Sequence, residues 1–261
     1  MNEAQPLIAF SHVGKRFNSL PAVDDVSLAV REGEFVAIVG GSGSGKTTLL
    51  RLANRLIAAD AGTVRIDGAD VASSNPIALR RHIGYAAQGA GLFPHMTVAG
   101  NIGITPKLLG WPPTEIAARV DELLQLVRLD PDAHRARFPH ELSGGQRQRV
   151  GVARALAARP RIVLMDEPFG ALDPLTRAAL SEEYRALHER FALTTIMVAH
   201  DMAEAVLLAD RIAVMRGGRL IADGDAAQLA ALDDPYVREL LQTPRTQAER
   251  LRKLLPRGAA T

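Results

Sequence analysis

A nine-residue glycine-rich loop, Gly40–Thr48, constrains this chain more than any other feature of its sequence. It follows the continuous apolar run Phe35–Val39, which is typical of a strand buried on both faces of a parallel sheet. After it, apolar residues at helical spacing predict a helix that begins near Lys46. The loop therefore lies between a strand and a helix, as the phosphate-binding pattern G-x-x-x-x-G-K-[ST] requires.

The residue types of this loop suit phosphate. Its glycines let successive backbone N–H groups face phosphate oxygens, and the helix N-terminus adds free donors and a positive dipole end. We expect Lys46 to reach the β- and γ-phosphates and Thr47 to ligate Mg²⁺. The alternative is a chance glycine-rich turn, but only four of the 31 basic residues are lysine, the compact cation that fits between phosphates. The candidate ATP-binding residues here are Gly40, Gly41, Ser42, Gly43, Ser44, Gly45, Lys46, Thr47 and Thr48.

Composition bounds the function. With 261 residues the chain can bury a full core, and its formal net charge of only +2 predicts no nucleic-acid partner. The absence of cysteine excludes disulfides and thiol catalysis. No apolar leader opens the chain and no apolar run approaches the roughly 20 residues of a membrane span, which predicts a cytoplasmic protein. A basic tail includes Arg245, Arg250, Arg252, Lys253 and Arg257, for which a solvated surface is favoured over a lipid or partner contact.

The secondary-structure pattern predicts a parallel α/β sheet with a helical interruption. Strand patterns at Phe35–Val39, Ile162–Met165, Thr194–Ala199 and Arg211–Met215 alternate with helical ones. From Pro94 to about residue 158 the pattern is mainly helical. We interpret this block as an inserted subdomain.

Two further motifs accompany the loop. The apolar strand Ile162–Met165 ends in Asp166 and Glu167. Asp166 is placed to hold Mg²⁺ and Glu167 to accept a proton from the attacking water, although two exposed acidic residues at a strand end are common in isolation. In Leu142-Ser143-Gly144-Gly145-Gln146, Ser143 and Gln146 have the spacing of a helix capping box. A cap does not require the two glycines, which make sense if a phosphate approaches that N-terminus.

Together these segments resemble the nucleotide-binding domain of ABC transporters, over about residues 7–240, and the LSGGQ signature is highly specific to that family. The resemblance implies an α/β fold: a P-loop NTPase with a RecA-like core, an N-terminal antiparallel β subdomain and an inserted α-helical subdomain. It implies ATP and Mg²⁺ as cofactors and ATP hydrolysis as the activity. The predicted ATPase domain covers residues 1–240, with the helical subdomain at about 91–158, and a short basic tail covers 241–261.

The resemblance also implies roles for individual residues. Phe17 matches the aromatic residue that stacks on adenine, although a lone Phe is more often part of a core. Gln88 matches the glutamine that contacts Mg²⁺ and the attacking water. Asp173, in Ala171-Leu172-Asp173, matches the loop that crosses the dimer interface. His200 matches the switch histidine on the γ-phosphate, so the implied catalytic residues are Lys46, Gln88, Glu167 and His200.

The position of the signature in the family fold implies a dimer. Ser143, Gly144, Gly145 and Gln146 lie too far along the chain to serve their own loop, so they close over ATP held by a second, head-to-tail subunit. The partners implied are that subunit, integral-membrane permease subunits and, indirectly, a solute-binding protein. The protein is then expected at the cytoplasmic face of the bacterial inner membrane, bound through the permease.

The segment after Gln88 is the part that faces the permease in this family. The stretch Gly91–Ile102, and then Ile104–Trp111 and Arg137–Glu141, resemble the ATPases of osmoprotectant importers for glycine betaine, choline and other quaternary amines. The alternatives are an importer of another solute, an exporter subunit or a soluble ABC protein. After the last core strand only about forty residues remain, too few for the paired CBS domains or the regulatory barrel of some relatives.

Overall fold

A computed structural model describes residues 5–254 of the protein. Three short strands, at Phe35–Val39, Ile162–Asp166 and Thr194–Val198, are buried along their whole length, as in a parallel sheet covered on both faces. In chain order the strands are β1 (Ile8–Phe17), β2 (Leu20–Val30), β3 (Phe35–Val39), β4 (Ala61–Ile66), β5 (Ala69–Asp70), β6 (Ile83–Ala86), β7 (Ile162–Asp166), β8 (Thr194–Val198), β9 (Arg211–Arg216) and β10 (Arg219–Gly224).

The helices mostly begin at side-chain caps. Asn75, Thr97, Ser143, Asp173 and Asp201 each accept a backbone N–H of the first turn that follows. The helices are α1 (Lys46–Ala53), α2 (Pro76–Arg81), α3 (Val98–Leu108), α4 (Pro113–Leu126), α5 (Pro131–His134), α6 (Gly144–Leu156), α7 (Pro174–Phe191), α8 (Met202–Leu208), α9 (Ala226–Ala230) and α10 (Pro235–Leu254).

A six-stranded sheet of order β10-β9-β3-β8-β7-β6 forms the centre of the fold. Its strands are parallel from β9 to β6, and only β10 pairs antiparallel. Both faces are covered, because Phe35 and Ala37 of β3 point into one apolar cluster while Val36 and Ile38 point into another. This explains the uninterrupted apolar runs, and the predicted parallel α/β core is confirmed.

A second, four-stranded antiparallel sheet of order β2-β1-β4-β5 comes from the N-terminal part of the chain. In its register Ile8 lies opposite Val30 on β2 and Ile66 on β4. The buried side chains of this sheet belong to the same apolar cluster as those of α1 and one face of β3. The N-terminal antiparallel β region that the resemblance implied is therefore present.

Helices α3 to α6 occupy the chain between β6 and β7 and pack on one another. Val120, Leu123 and Leu124 of α4 are buried with Val150 of α6 in the larger apolar cluster. Gly103 gives α3 and α4 close contact, since a Cβ there would lie 2.7 Å from the Ile116 side chain. The helical block of the sequence is thus confirmed, whereas the subdomain boundaries at about 91–158 and the division at 240 stay predictions.

The structure differs from the sequence pattern in three places. Strand β6 carries only four residues, too few for an alternation pattern to be recognised. Phe191 lies at helical spacing from the buried Leu180 and Tyr184, which predicts a shared buried face, yet it is 51% exposed because it is the last residue of α7. Helix α10 runs on through Leu254 into the expected tail, of which Arg257 lies outside the described residues. Within residues 5–254, none of the helices combines the length and apolarity that a bilayer crossing demands.

Candidate functional site

The glycine-rich loop joins the buried end of β3 to the first turn of α1. Gly45, which precedes α1, has φ +99°, in the left-handed region that favours glycine. A Cβ at this position would lie 2.1 Å from the Ala22 carbonyl oxygen on β2. The loop is therefore pressed against the antiparallel sheet, and only a residue without a side chain fits.

Lys46 is already turned toward the loop that it serves. Its Nζ donates to the carbonyl oxygens of Gly40 at 2.9 Å and Gly41 at 3.0 Å. An ammonium group has three N–H donors, so these bonds leave one for a phosphate oxygen. Burial lowers the pKa of Lys46, while Glu167 and Asp166 act in the opposite direction. A phosphate would add negative charge beside this cation and favour its charged form.

Thr47 and Asp166 make a contact between α1 and the end of β7. The Thr47 hydroxyl donates to Asp166 Oδ1 at 2.8 Å. Asp166 is fully buried, and this burial raises its pKa. Its second oxygen, Oδ2, has no hydrogen-bond partner among the described residues. An orphaned carboxylate oxygen beside a hydroxyl is an oxygen donor set that Mg²⁺ prefers.

This donor set fits a cation held largely by phosphate and water. Across residues 5–254 there is no group of three or more His, Cys, Asp or Glu side chains placed to hold a metal alone. Mg²⁺ commonly binds through one or two protein ligands together with substrate phosphates and water. Thr47 and Asp166 match that arrangement.

Glu167 lies next to this pair in an unusual conformation. Its φ is +48°, rare for a residue with a side chain, and its N–H donates to Val198 O at 3.0 Å. Gln88, two residues after β6, donates from Nε2 to Glu167 Oε2 at 3.2 Å. The structure thus brings together two predicted residues that are 79 positions apart.

His200 comes to the same edge from the end of β8. Its side chain is half-exposed, and its backbone N–H donates to Glu204 Oε2 at 2.7 Å. The ring passes close to the loop after Glu167, since a Cβ on Gly170 would lie 3.7 Å from His200 Cδ2. The same Cβ would lie 3.9 Å from Glu167 Cβ, so His200 and Glu167 both lie next to Gly170.

Phe17 lies beside the glycine-rich loop. It is 49% exposed and lines one cavity with Ala22 and the residues Gly43–Thr48. The Lys15 ammonium lies 5.6 Å from the centre of its ring. An exposed aromatic ring beside a phosphate loop can stack on a planar base. This placement disfavours the core alternative for Phe17.

The signature residues are built into the start of α6. Ser143 Oγ accepts the Gln146 N–H at 3.2 Å and Gln146 Oε1 accepts the Ser143 N–H at 2.8 Å, which confirms the predicted capping box. A Cβ on Gly145 would lie 3.2 Å from Leu172 in the loop before α7, where Asp173 accepts the Thr176 N–H. Among the described residues, those lining the cavity over the phosphate loop include none of the signature.

Two residues that contact the site were not predicted from the sequence. Gln148, one turn into α6, donates from Nε2 to the Glu167 carbonyl at 2.7 Å and accepts the Ala171 N–H at 2.8 Å. Tyr236 of α10 accepts the Gly41 N–H at 2.7 Å. A buried position for a polar residue within a helical pattern is the only sequence signal for Gln148, and Tyr236 has none.

The fold and the glycine-rich loop define a nucleotide-binding cassette on a P-loop core. Over residues 23–170, more than half of its length, the chain matches the family described as ABC transporter. The chain therefore belongs to the ABC transporter family.

Relatives and solved structures agree with this. The chain is 48% identical over 219 residues to the choline transport ATP-binding protein OpuBA of Bacillus subtilis, covering 84% of this chain and 57% of that protein. It is 48% identical over 219 residues to the glycine betaine uptake system ATP-binding protein YehX of Escherichia coli, covering 84% and 71%. A structure titled "Dimeric Structure of MJ0796, a Bacterial ABC Transporter Cassette" superposes with TM-score 0.79 at 31% identity, covering 84% of this chain and 98% of that one.

Proposed function

We propose that this chain binds and hydrolyses Mg·ATP as the energising subunit of a bacterial importer. The observation that carries the proposal is the Thr47–Asp166 pair at the mouth of the phosphate loop, with a buried carboxylate oxygen left free and Glu167 beside it. A cradle for phosphate, a cation site and a base are the parts that phosphoryl transfer to water needs. The chain spans 57% of the length of OpuBA, so activity, solute and partners are proposed for the whole protein.

In the proposed reaction each residue acts where it already lies. The loop N–H groups and Lys46 hold the β- and γ-phosphates, and Phe17 stacks on the adenine. Thr47 and Asp166 would hold Mg²⁺, with Gln88 as a further ligand, and this cation would supply positive charge beside the phosphates. Glu167 accepts a proton from the attacking water, and His200 donates to the γ-phosphate.

The second half of the site is proposed to come from another subunit. Signature residues Ser143 to Gln146 present an N-terminal helix end with two glycines, which suits an anion. They do not line the cavity of their own phosphate loop within the described part of the chain. A head-to-tail dimer would place them on the partner's nucleotide, and Asp173 would lie at the interface between the two subunits. The dimeric cassette named among the similar structures supports this arrangement.

A groove between the helical block and the core is the proposed seat for a permease. It is lined by Tyr85, Phe93 and Leu108, and the latter two are 43% and 51% exposed. Arg154 of α6 donates at 2.8 Å to the carbonyls of Ala90 and Gly91, so the segment after Gln88 is fastened to the signature helix. A displacement of this groove by the permease would therefore move both the segment after Gln88 and the signature helix, which belong to the two halves of an ATP site. Attachment there would place the chain at the cytoplasmic face of the membrane.

Quaternary amines such as choline or glycine betaine are the proposed solutes, since the relatives above are named for these compounds. The test is ATPase activity of the complex reconstituted with its co-purified permease. A binding protein loaded with glycine betaine or choline should stimulate hydrolysis. Stimulation by another solute class alone, such as an inorganic anion or an amino acid, would overturn the solute assignment.

The ATPase proposal is tested by Glu167→Gln, which keeps the shape of the side chain but removes the proton acceptor. Hydrolysis should fall by at least about 100-fold, the contribution of a general base. With Mg·ATP the variant should elute from a sizing column as a dimer, because ATP stays uncleaved between subunits. Glu182→Gln, an exposed change on α7, is the matched control and should behave as wild type. A variant that hydrolyses normally would refute the base, and one that stays monomeric with Mg·ATP would refute the sandwich.

A further inference from the structure

The C-terminal helix makes a direct contact with the phosphate-binding loop. The hydroxyl oxygen of Tyr236, in the first turn of α10, accepts the backbone N–H of Gly41 at 2.7 Å. The two residues are 195 positions apart. None of the motifs that define the nucleotide site includes this tyrosine, so the bond adds an anchor to the loop from outside them.

Tyr236 is held firmly enough to act as an anchor. Asp234 Oδ1 accepts the N–H groups of both Tyr236 and Val237 at 2.9 Å, which caps the start of α10. Val237 is fully buried, so this first turn is fastened to the larger apolar cluster. The Arg216 guanidinium lies over the tyrosine ring, 4.9 Å from its centre. The ring is thus fixed from its backbone and from one face.

The anchored peptide is also the one that Lys46 uses. Tyr236 takes the N–H of Gly41, while the Lys46 ammonium donates to the carbonyl oxygens of Gly40 and Gly41. A Cβ on Gly41 would lie 3.4 Å from the tyrosine oxygen, so the backbone approaches the phenol closely. Any movement of Gly41 therefore changes the position of the carbonyls that orient the catalytic lysine.

We propose that Tyr236 is a positioning residue for the phosphate-binding loop, through which the seating of α10 sets nucleotide affinity. The proposal rests on the proposed ATPase function. Its physical basis is pre-organisation: a loop held in its binding conformation loses less freedom when phosphate arrives. Tyr236 acts through Gly41 and Lys46 and does not itself touch the reacting atoms.

Tyr236→Phe removes only the hydroxyl and keeps the ring that packs under Arg216. Without nucleotide, hydrogen exchange of the loop peptide that contains Gly41 should become faster by about two- to tenfold. The KM for Mg·ATP, and the Kd for Mg·ADP by calorimetry, should rise by about two- to tenfold, the range for one neutral hydrogen bond. The kcat should stay within about twofold, because the base and the cation site are untouched.

Tyr184→Phe is the matched control. Its hydroxyl bonds Thr195 Oγ1 at 2.8 Å inside the core, so its loss should reduce thermal stability without changing loop exchange or ADP affinity. Unchanged exchange and affinity in Tyr236→Phe, or equal effects in Tyr184→Phe, would overturn the positioning role alone. Wild-type protein that neither binds ADP nor hydrolyses ATP would overturn the proposed function as well.

Discussion

Replacing Gln148 with leucine tests the connection between the signature helix and the proposed base. The side chain of Gln148 is only 6% exposed and is used at both ends, by the Glu167 carbonyl and the Ala171 N–H. Leucine has a similar volume and a good helix propensity, so α6 should persist. The change therefore removes two hydrogen bonds without leaving a large cavity.

The magnitude follows from these contacts. Each lost bond costs about 0.5–1.5 kcal/mol net, so the free energy of unfolding should fall by about 1–3 kcal/mol. The value stays below the full penalty for buried groups, because Ala171 is exposed and the Glu167 carbonyl also accepts the Gly170 N–H at 3.3 Å. The surrounding contacts hold Glu167 at φ +48°, an unfavourable conformation for a residue with a side chain. Without the bond from Gln148, the Glu167 backbone should relax and displace its carboxylate. A small misplacement of a catalytic group lowers kcat by about 10- to 100-fold.

Urea unfolding and steady-state ATPase assays measure the two effects. The KM for Mg·ATP should change little, because Gln148 contacts the loop of Glu167 and not the phosphate loop. Gln125→Leu on the exposed face of α4 is the control and should lie within about 0.5 kcal/mol of wild type. If Gln148→Leu keeps both the stability and the kcat of the wild type, the proposed coupling is wrong.

Two further changes test the loop and the core. Gly45→Ala should lower the free energy of unfolding by about 3 kcal/mol, measured with urea, because the new Cβ would lie 2.1 Å from the Ala22 carbonyl oxygen. Gly33→Ala is the control: its φ is also positive, +74°, but no atom lies within 4 Å, so the loss should be about 1 kcal/mol. Equal losses in the two variants would contradict the steric argument. Burial lowers the pKa of His188 below its usual 6.5, so the folded state binds fewer protons than the unfolded state and loses stability as the pH falls below about 6.5. His188→Asn has no such group, so the difference in free energy of unfolding between wild type and variant should become smaller from pH ~7.5 to ~5.5. A difference that stays constant over this range would refute the role of His188.

Much of the fold could be predicted because the decisive signals are local. The uninterrupted apolar run of β3 and the glycine-rich loop at its end are both readable within a few residues. Ser143 and Gln146 declare a helix start through their spacing alone, and the structure has it. The roles of Phe17 and Gln88 required the family resemblance, since a single aromatic or amide side chain has many uses.

The remaining contacts could not be predicted because they join distant parts of the chain. Tyr236 meets Gly41 across 195 positions and Gln148 meets Glu167 across 19, and neither pair follows a helical or strand period. Such a bond can be recognised only when the relative positions of the two backbone segments are known. The same limit applies to β6, whose four residues are recognisable as a strand only through their pairing with β7.

The topology of the sheet explains why the proposed catalytic residues meet. In the order β9-β3-β8-β7-β6 neighbouring strands are parallel, so their carboxyl ends lie at one edge. The phosphate loop follows β3, His200 follows β8, Asp166 ends β7 with Glu167 directly after it, and Gln88 follows β6. Four of these five strands, β3, β8, β7 and β6, thus contribute to the site, in the part of a parallel sheet where ligands bind. Because Tyr236 reaches this same edge from α10, a change in the seating of that helix would act directly on the phosphate loop through the Gly41 N–H.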